Sequence, residues 1–143
     1  MAISRFEELY AWQDARRLVV RVYEISRIQP MSGNRSFCDQ IQRAAVPTMS
    51  NIAEGFERGT QAEFKRYLGI AKGSNGEVRS LLHVAGDLLF INEPTKCELI
   101  ALNETTGRLI AGLQRSIDLR ARTLRDDDEQ YDVELIDEID QTE

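Results

Sequence analysis

Residues 36–56 read SFCDQIQRAAVPTMSNIAEGF, and the architecture of the chain can be worked out from this stretch. Its core-type residues recur every three or four positions, which is the spacing of one face of an α-helix. They are Phe37, Ile41, Ala45, Thr48, Met49, Ile52 and Phe56. Pro47 lies inside this stripe and removes one backbone hydrogen bond, so we predict an amphipathic helix with a kink at that residue.

Three further segments on either side of this helix show the same period. They span about residues 5–28, 61–90 and 95–125, with breaks at Pro30, Gly59 and Pro94. Their stripes are Ala11, Trp12, Ala15, Leu18, Val19, Val22 and Ile25; Phe64, Leu68, Ala71, Val78, Leu81, Leu82, Ala85 and Leu89; and Leu99, Leu102, Thr106, Leu109, Leu113, Ile117 and Leu124. Four amphipathic helices with short connections predict an all-α fold, an antiparallel up-down-up-down four-helix bundle over residues 1–125.

The charge divides the 143 residues into two parts. Residues 1–125 hold all 18 basic residues and 14 acidic ones, a net charge of +4, whereas residues 126–143 hold ten acidic residues and no basic one. We therefore predict an acidic C-terminal tail that is separate from the bundle. Tyr131, Leu135 and Ile139 recur at four-residue spacing within it. A flexible solubilising tail and a short docking helix are both consistent with this pattern.

Signatures of catalysis are missing from the sequence. His83 is the only histidine, and Cys38 and Cys97, the only cysteines, are interpreted as free buried thiols. The glycines do not form a phosphate-binding loop, and no nucleophile elbow is present. We therefore expect no enzyme activity, no catalytic residue, no metal site and no cofactor. A site made of carboxylates alone would have only Glu54 and Glu77 near helix centres.

The location of the protein is predicted from what its sequence lacks. No apolar run approaches the roughly 20 residues that a membrane-spanning helix needs. The first residues, MAISRFEE, do not form a positively charged flank followed by an apolar stretch. We therefore expect no signal peptide, no membrane contact and a cytoplasmic location.

Basic residues repeat every seven positions along the third and fourth predicted helices. The first set is Lys65, Lys72 and Arg79, and the second is Arg108, Arg115 and Arg122. Each set lies on one polar side of its helix, which is consistent either with an ordinary solvated face or with a surface that contacts the phosphates of RNA or DNA. No aromatic residues are interleaved for base stacking, so recognition by shape and charge is expected.

Small residues mark one side of the third predicted helix. Gly69, Gly73, Gly76 and Ser80 share one face. Glycine within a helix costs about 1 kcal/mol relative to alanine, so three of them need a reason. Two interpretations stay open: contact with a second subunit, and close packing against a neighbouring helix of the same chain.

Several motifs resemble those of a known family. They are the stretch from Phe6 to Ala15 (FEELYAWQDA), the run QIQRAAV at residues 40–46 followed by SNIAEG at 50–55, and AKGSNGEVRS at 71–80. In this order they resemble the bacterial four-helix bundle proteins encoded in intervening sequences of 23S ribosomal RNA genes. Pro47 lies slightly earlier than is usual in that family, and the acidic tail is not part of its pattern.

The resemblance implies a ring-like homo-oligomer, a pentamer, with no catalytic residues to carry over. The family is similar to the accessory variability determinant proteins of diversity-generating retroelements, which are basic pentamers that bind nucleic acid and a reverse transcriptase. The net charge of −6 weakens that analogy. Within the motif, we expect Arg43, Asn51 and Glu54 to form a bonded cluster that fixes helix packing, with ligand contact as the alternative.

These observations predict a non-enzymatic homo-oligomeric bundle that binds structured RNA or a ribonucleoprotein partner. The alternative is an adaptor that binds only protein and docks through its acidic tail. The carboxylates of that tail have a high effective concentration near the bundle, so we also expect the tail to cover the basic residues and restrain binding.

Overall fold

The structure is a computed structural model that describes the backbone of residues 3–140 and the side chains of residues 3–125. Four helices form it: α1 (Tyr10–Ser26), α2 (Arg35–Glu57), α3 (Gln61–Asp87) and α4 (Glu93–Asp140), with short 3-10 turns at Phe6–Glu8 and Met31–Gly33. Each helix packs against the next, and α1 also packs against α4. The predicted all-α antiparallel four-helix bundle is confirmed. The role and form predicted for the acidic tail fall on residues 126–143, whose side chains lie outside the described part.

Side-chain caps explain where three of the helices begin. The Asn34 side chain accepts a hydrogen bond from the Phe37 N–H at 3.0 Å, and Thr60 Oγ1 accepts one from the Glu63 N–H at 3.2 Å. At the start of α4, Asn92 Oδ1 accepts from the Thr95 N–H at 2.9 Å. Each cap satisfies a backbone donor that has no partner within its helix.

The core consists of two apolar clusters. One lies towards the α1–α2 and α3–α4 connections and includes Leu18, Met31, Ile41, Leu82 and Leu99. The other lies towards the opposite end and includes Leu9, Ile52, Leu68, Ile110 and Ile117. Four buried polar residues fall between these clusters along their helices: Thr48, Asn75, Asn103 and Thr106. The bundle therefore has a polar layer near its middle.

Three residues that the sequence places in the core are exposed in the structure. Leu89 is 77% exposed because α3 ends at Asp87, so the helical period no longer applies to it. Leu124 is exposed because it lies two turns past Ile117, the last buried residue in the described part of α4, where residues 118–125 are all exposed. The prediction that both thiols are buried is wrong for Cys97, which lies on α4 away from the Leu99 side, whereas Cys38 is buried.

No helix in the described part of the chain is long and apolar enough to cross a membrane.

Candidate nucleic-acid interface

A groove with a volume of about 350 Å³ runs between α3 and α4, and we call it the α3–α4 groove. It is lined by Lys72, Asn75, Gly76, Arg79, Asn103, Glu104, Gly107, Arg108 and Ala111. The two heptad-spaced sets of basic residues come from different helices. The structure brings three of these residues together in one groove: Lys72 and Arg79 from α3, and Arg108 from α4.

The α3–α4 groove carries an excess of positive charge. Lys72, Arg79 and Arg108 are exposed, and none of them forms an ion pair with another described residue. Arg108 donates one hydrogen bond from Nη2 to Thr105 Oγ1 at 3.2 Å. Glu104 is the one acidic residue in the lining. Cations that are not neutralised by neighbouring carboxylates remain available to an anionic ligand.

The other three predicted residues lie outside this groove. Lys65 Nζ donates to Asp118 Oδ1 at 2.6 Å, which joins α3 to α4 and partly neutralises that lysine. Arg115 and Arg122 are exposed on α4, nearer its C-terminal end. The six basic residues therefore form one central cluster of three, one ion-paired lysine and two arginines farther along α4.

The floor of the groove is a pair of asparagines that the sequence analysis did not single out. Asn75 Nδ2 donates to the Asn103 carbonyl at 2.9 Å, and Asn103 Nδ2 donates to the Asn75 carbonyl at 2.7 Å and to Asn75 Oδ1 at 3.0 Å. Both side chains are buried. The signal in the sequence is their position, because each lies at helical spacing between core residues: Asn75 between Ala71 and Val78, and Asn103 between Leu99 and Thr106.

The glycine face of α3 has little against it in the described chain. A Cβ atom added at Gly73 or Gly76 would meet nothing within 4 Å, and at Gly69 it would meet only Gln114 Nε2 at 3.9 Å. Gly69, Gly73 and Ser80 are exposed. Close packing against a neighbouring helix of the same chain does not explain these glycines. Contact with a second subunit stays a prediction.

The residues of the family motif do not bond to one another within the described part. Asn51 Nδ2 donates to the Pro47 carbonyl at 2.8 Å. Glu54 Oε1 accepts from Arg58 Nη2 at 3.0 Å and from the Tyr67 hydroxyl at 3.3 Å. Arg43 is exposed and makes no side-chain hydrogen bond to a described residue. Of these three residues, only Glu54 makes a hydrogen bond from α2 to α3, through the Tyr67 hydroxyl.

The rest of the described chain offers no grouping of metal ligands. No three His, Cys, Asp or Glu side chains among the described residues lie close enough together to hold a metal ion. His83 is exposed on α3.

Four antiparallel helices around a two-part core, with a basic groove between α3 and α4, define a small helical-bundle protein. The chain belongs to the 23S rRNA-intervening sequence protein family, whose sequence profile matches residues 7–112. A similar solved structure is that of a protein of unknown function from the S23 ribosomal protein family of Bacteroides thetaiotaomicron. The two are 17% identical with a TM-score of 0.67, over 73% of this chain and 97% of that one. A comparison with curated proteins found no match to the chain.

Proposed function

We propose that this protein is a homo-oligomeric four-helix bundle without catalytic activity that binds structured RNA or a ribonucleoprotein partner through the α3–α4 groove. The observation that carries this proposal is the convergence of Lys72, Arg79 and Arg108 on one groove, free of ion pairs within the described chain. The resemblance to accessory proteins that bind nucleic acid together with a reverse transcriptase supports a partner of this class.

The chemistry of the groove suits a phosphate backbone. Arginine presents a planar fork of donors that matches phosphate oxygens, and lysine adds a compact charge. The buried asparagine pair holds α3 and α4 at a fixed separation, so the three cations are presented from a rigid surface. Phosphate contacts of this kind fix position and supply affinity without reading bases, which is consistent with recognition by shape and charge.

Assembly of several copies would multiply this surface. The open face around Gly73 allows the backbone of a second copy to approach closely, as small residues at helix contacts do. A ring-like pentamer, as the family resemblance implies, would repeat the α3–α4 groove around the assembly. Weak phosphate contacts in separate subunits would then add through their high effective concentration.

The test is RNA binding by fluorescence anisotropy across a series of salt concentrations. The variant Arg79→Glu/Arg108→Glu should bind far more weakly and lower the slope of log affinity against log salt by about 2. The matched control is Arg27→Glu/Arg35→Glu, which makes the same change of charge at exposed residues outside the groove. An equal loss in both variants would mean that net charge, and not this groove, governs binding.

Two further arms separate the remaining possibilities. Arg115→Glu/Arg122→Glu shows whether the contact surface continues along α4, and a chain ending at Arg125 shows whether the acidic tail restrains binding. If no version binds at low salt, the nucleic-acid proposal fails. The alternative, an adaptor that binds only protein through its tail, then becomes the better description.

A further inference from the structure

A second groove lies on the opposite side of α4, between that helix and α1. This α1–α4 groove has a volume of about 680 Å³, and its apolar lining comes from Trp12, Val20 and Leu102. Arg16 and Arg17 lie on its α1 side. Nothing in the proposed nucleic-acid interface uses this surface.

Packing against neighbouring side chains holds the apolar part of the α1–α4 groove in place. Phe6 packs edge-on against Trp12 with ring centroids 5.1 Å apart, and the Arg16 guanidinium lies 5.5 Å from the centre of the Trp12 ring. Val20 nevertheless remains 50% exposed on α1. An indole held in place in the same groove as an uncovered valine is typical of a surface that receives an apolar partner.

An ion-pair network closes the far end of the groove. Arg21 Nε donates to Glu98 Oε1 at 2.9 Å and Arg21 Nη1 donates to Glu24 Oε2 at 2.6 Å. The hydrogen bond to Glu98 and then that to Glu24 raise the pKa of Arg21, so this link between α1 and α4 stays charged. Glu7, the other acidic residue of the lining, is paired with Arg5 at 2.9 Å. Arg16 has no ion-pair partner among the described residues.

We propose that the acidic C-terminal segment of a second copy of this chain docks in the α1–α4 groove, with Tyr131, Leu135 and Ile139 as its anchors. Trp12 and Val20 lie eight residues apart on α1, a rise of about 12 Å. Tyr131 and Ile139 are also eight residues apart, so in a helical segment they span the same distance of about 12 Å. Leu135 is midway between Tyr131 and Ile139 in sequence, as Arg16 is midway between Trp12 and Val20.

Charge favours the same occupant. The segment has ten acidic residues and no basic one between residues 126 and 143. Asp132 and Glu134 are close in sequence to the anchors, so they would come near Arg16, which has no ion-pair partner among the described residues; Arg17 is already paired with Asp14. A segment that is both acidic and apolar at four-residue spacing is complementary to a groove with an apolar base and arginines along one side.

Distance indicates that the donor is a second copy. α4 is exposed from Asp118 to Arg125, so the segment starts beyond the end of the bundle. Leu102 lies 23 residues before Arg125, about 35 Å along the helix, whereas Ile139 lies 14 residues after it, about 21 Å as helix. Since α4 is one helix from Glu93 to Asp140, its last turns lead away from the bundle and do not return to the α1–α4 groove of the same chain. A neighbouring subunit in an oligomer has no such constraint.

Trp12 is the only tryptophan, so its fluorescence reports directly on the occupancy of the groove. The experiment measures the emission maximum and acrylamide quenching of the full chain and of two variants. Val20→Glu blocks the groove, and Leu135→Ser/Ile139→Ser removes two anchors while keeping all ten acidic residues. Ile28→Glu is the control for the first variant, because it changes another exposed apolar residue outside the groove.

We expect each variant to shift the Trp12 emission to longer wavelength and to increase quenching, and we expect Ile28→Glu to do neither. The decisive step is to refold the two variants together from urea, so that subunits can exchange. In the mixture the intact tail of the Val20→Glu chain can enter the intact groove of the other chain, so part of the lost protection should return.

Two outcomes would overturn the proposal. If both variants lose protection and the mixture restores none, the segment docks on its own chain. If protection survives in the tail variant, another surface covers Trp12, and the acidic segment is not the occupant. Both results are read from Trp12 fluorescence without RNA, so the failure of this proposal can be told apart from the failure of the proposed RNA binding.

Discussion

Helix α3 has two neighbours, and its interfaces with them differ in kind. Towards α2 the interface is tight and largely apolar: a Cβ atom added at Gly55 would lie 2.5 Å from Tyr67 Cβ, and Phe56 packs edge-on against Phe64 with centroids 5.8 Å apart. Towards α4 the interface contains the buried Asn75–Asn103 pair and opens into a basic groove. One helix thus provides a close-packed interface on one side and a polar, accessible one on the other.

This difference affects both the stability of the fold and the surface proposed to bind a ligand. Close apolar packing stabilises a fold through buried area and dispersion, and it leaves no surface for a ligand. A hydrogen-bonded amide pair fixes the register of two helices, but it stabilises less than an apolar layer of the same size. The α3–α4 interface therefore stabilises the fold less than an apolar interface of the same size would. Its asparagine pair holds the two helices, and the cations on them, at a defined spacing.

Asn103→Ala should have the largest effect on the free energy of unfolding. This change removes the donor that satisfies both the Asn75 carbonyl and Asn75 Oδ1, so we expect the free energy of unfolding to fall by about 1–3 kcal/mol. Urea denaturation measures it. Thr123→Ala is the control, because its hydroxyl is exposed on α4 beyond the bundle and bonds only to its own helix.

The double variant Asn75→Leu/Asn103→Leu sharpens this test. Replacing both amides with apolar groups leaves no donor unpaired, so the loss should be much smaller than for the single change. A cost below about 0.5 kcal/mol for Asn103→Ala would place the pair among ordinary surface contacts and would remove it as the structural support of the groove.

Glycine to alanine changes should have a smaller effect on the free energy of unfolding, and its sign should differ between two sites. At Gly55 the new methyl group collides with Tyr67 Cβ, and a cost of about 1–3 kcal/mol from overpacking exceeds the gain of about 1 kcal/mol in helix propensity. At Gly73 nothing lies within 4 Å, so only the gain remains and the free chain should be more stable. Thermal unfolding of both variants checks the signs.

Light scattering on the same two proteins tests the role of the open face. If Gly73 lies in a contact between copies, Gly73→Ala weakens the oligomer even though it stabilises the monomer. If the oligomer is unchanged and both variants unfold at the same temperature, the two faces of α3 do not differ in their contribution to stability or to assembly.

Most of the fold follows from periodicity, and the site follows only in part. The three-to-four spacing identifies the four helices and most of the core, because burial of one face leaves that pattern in the sequence. It gives the face on which each basic residue lies, but it does not give the rotation of one helix against another. The sequence therefore gives Lys72 and Arg108 only as members of two sets on two helices, and the structure places them in one groove.

The errors in the core have equally local causes. Cys97 was predicted to be buried from its residue type, although it lies two positions before Leu99 and so on another face of α4. Leu124 continues the apolar period of α4, but α1, α2 and α3 have only 17, 23 and 27 residues against 48 in α4. No helix remains at that level to cover it. The apolar spacing shows which face of a helix can be buried, but it does not show whether another helix lies against that face.

The smallest effect is expected at the edge of the α3–α4 interface, where Lys65 Nζ pairs with Asp118 Oδ1 at 2.6 Å. Both side chains are about half exposed, at 51% and 50%, so solvent screens the pair and Lys65→Ala should cost less than about 1 kcal/mol. A double-mutant cycle with Asp118→Ala isolates the coupling, and raising the salt concentration should reduce it further. A coupling above about 1 kcal/mol that persists at high salt would show that the edge of this interface, and not only the asparagine pair, holds α3 to α4.

The same ion pair gives a prediction for the proposed RNA binding. Asp118→Ala costs a little stability, but it frees the Lys65 ammonium and should raise the affinity for RNA slightly. If affinity does not rise, the phosphate-contacting surface ends at the groove and does not reach Lys65.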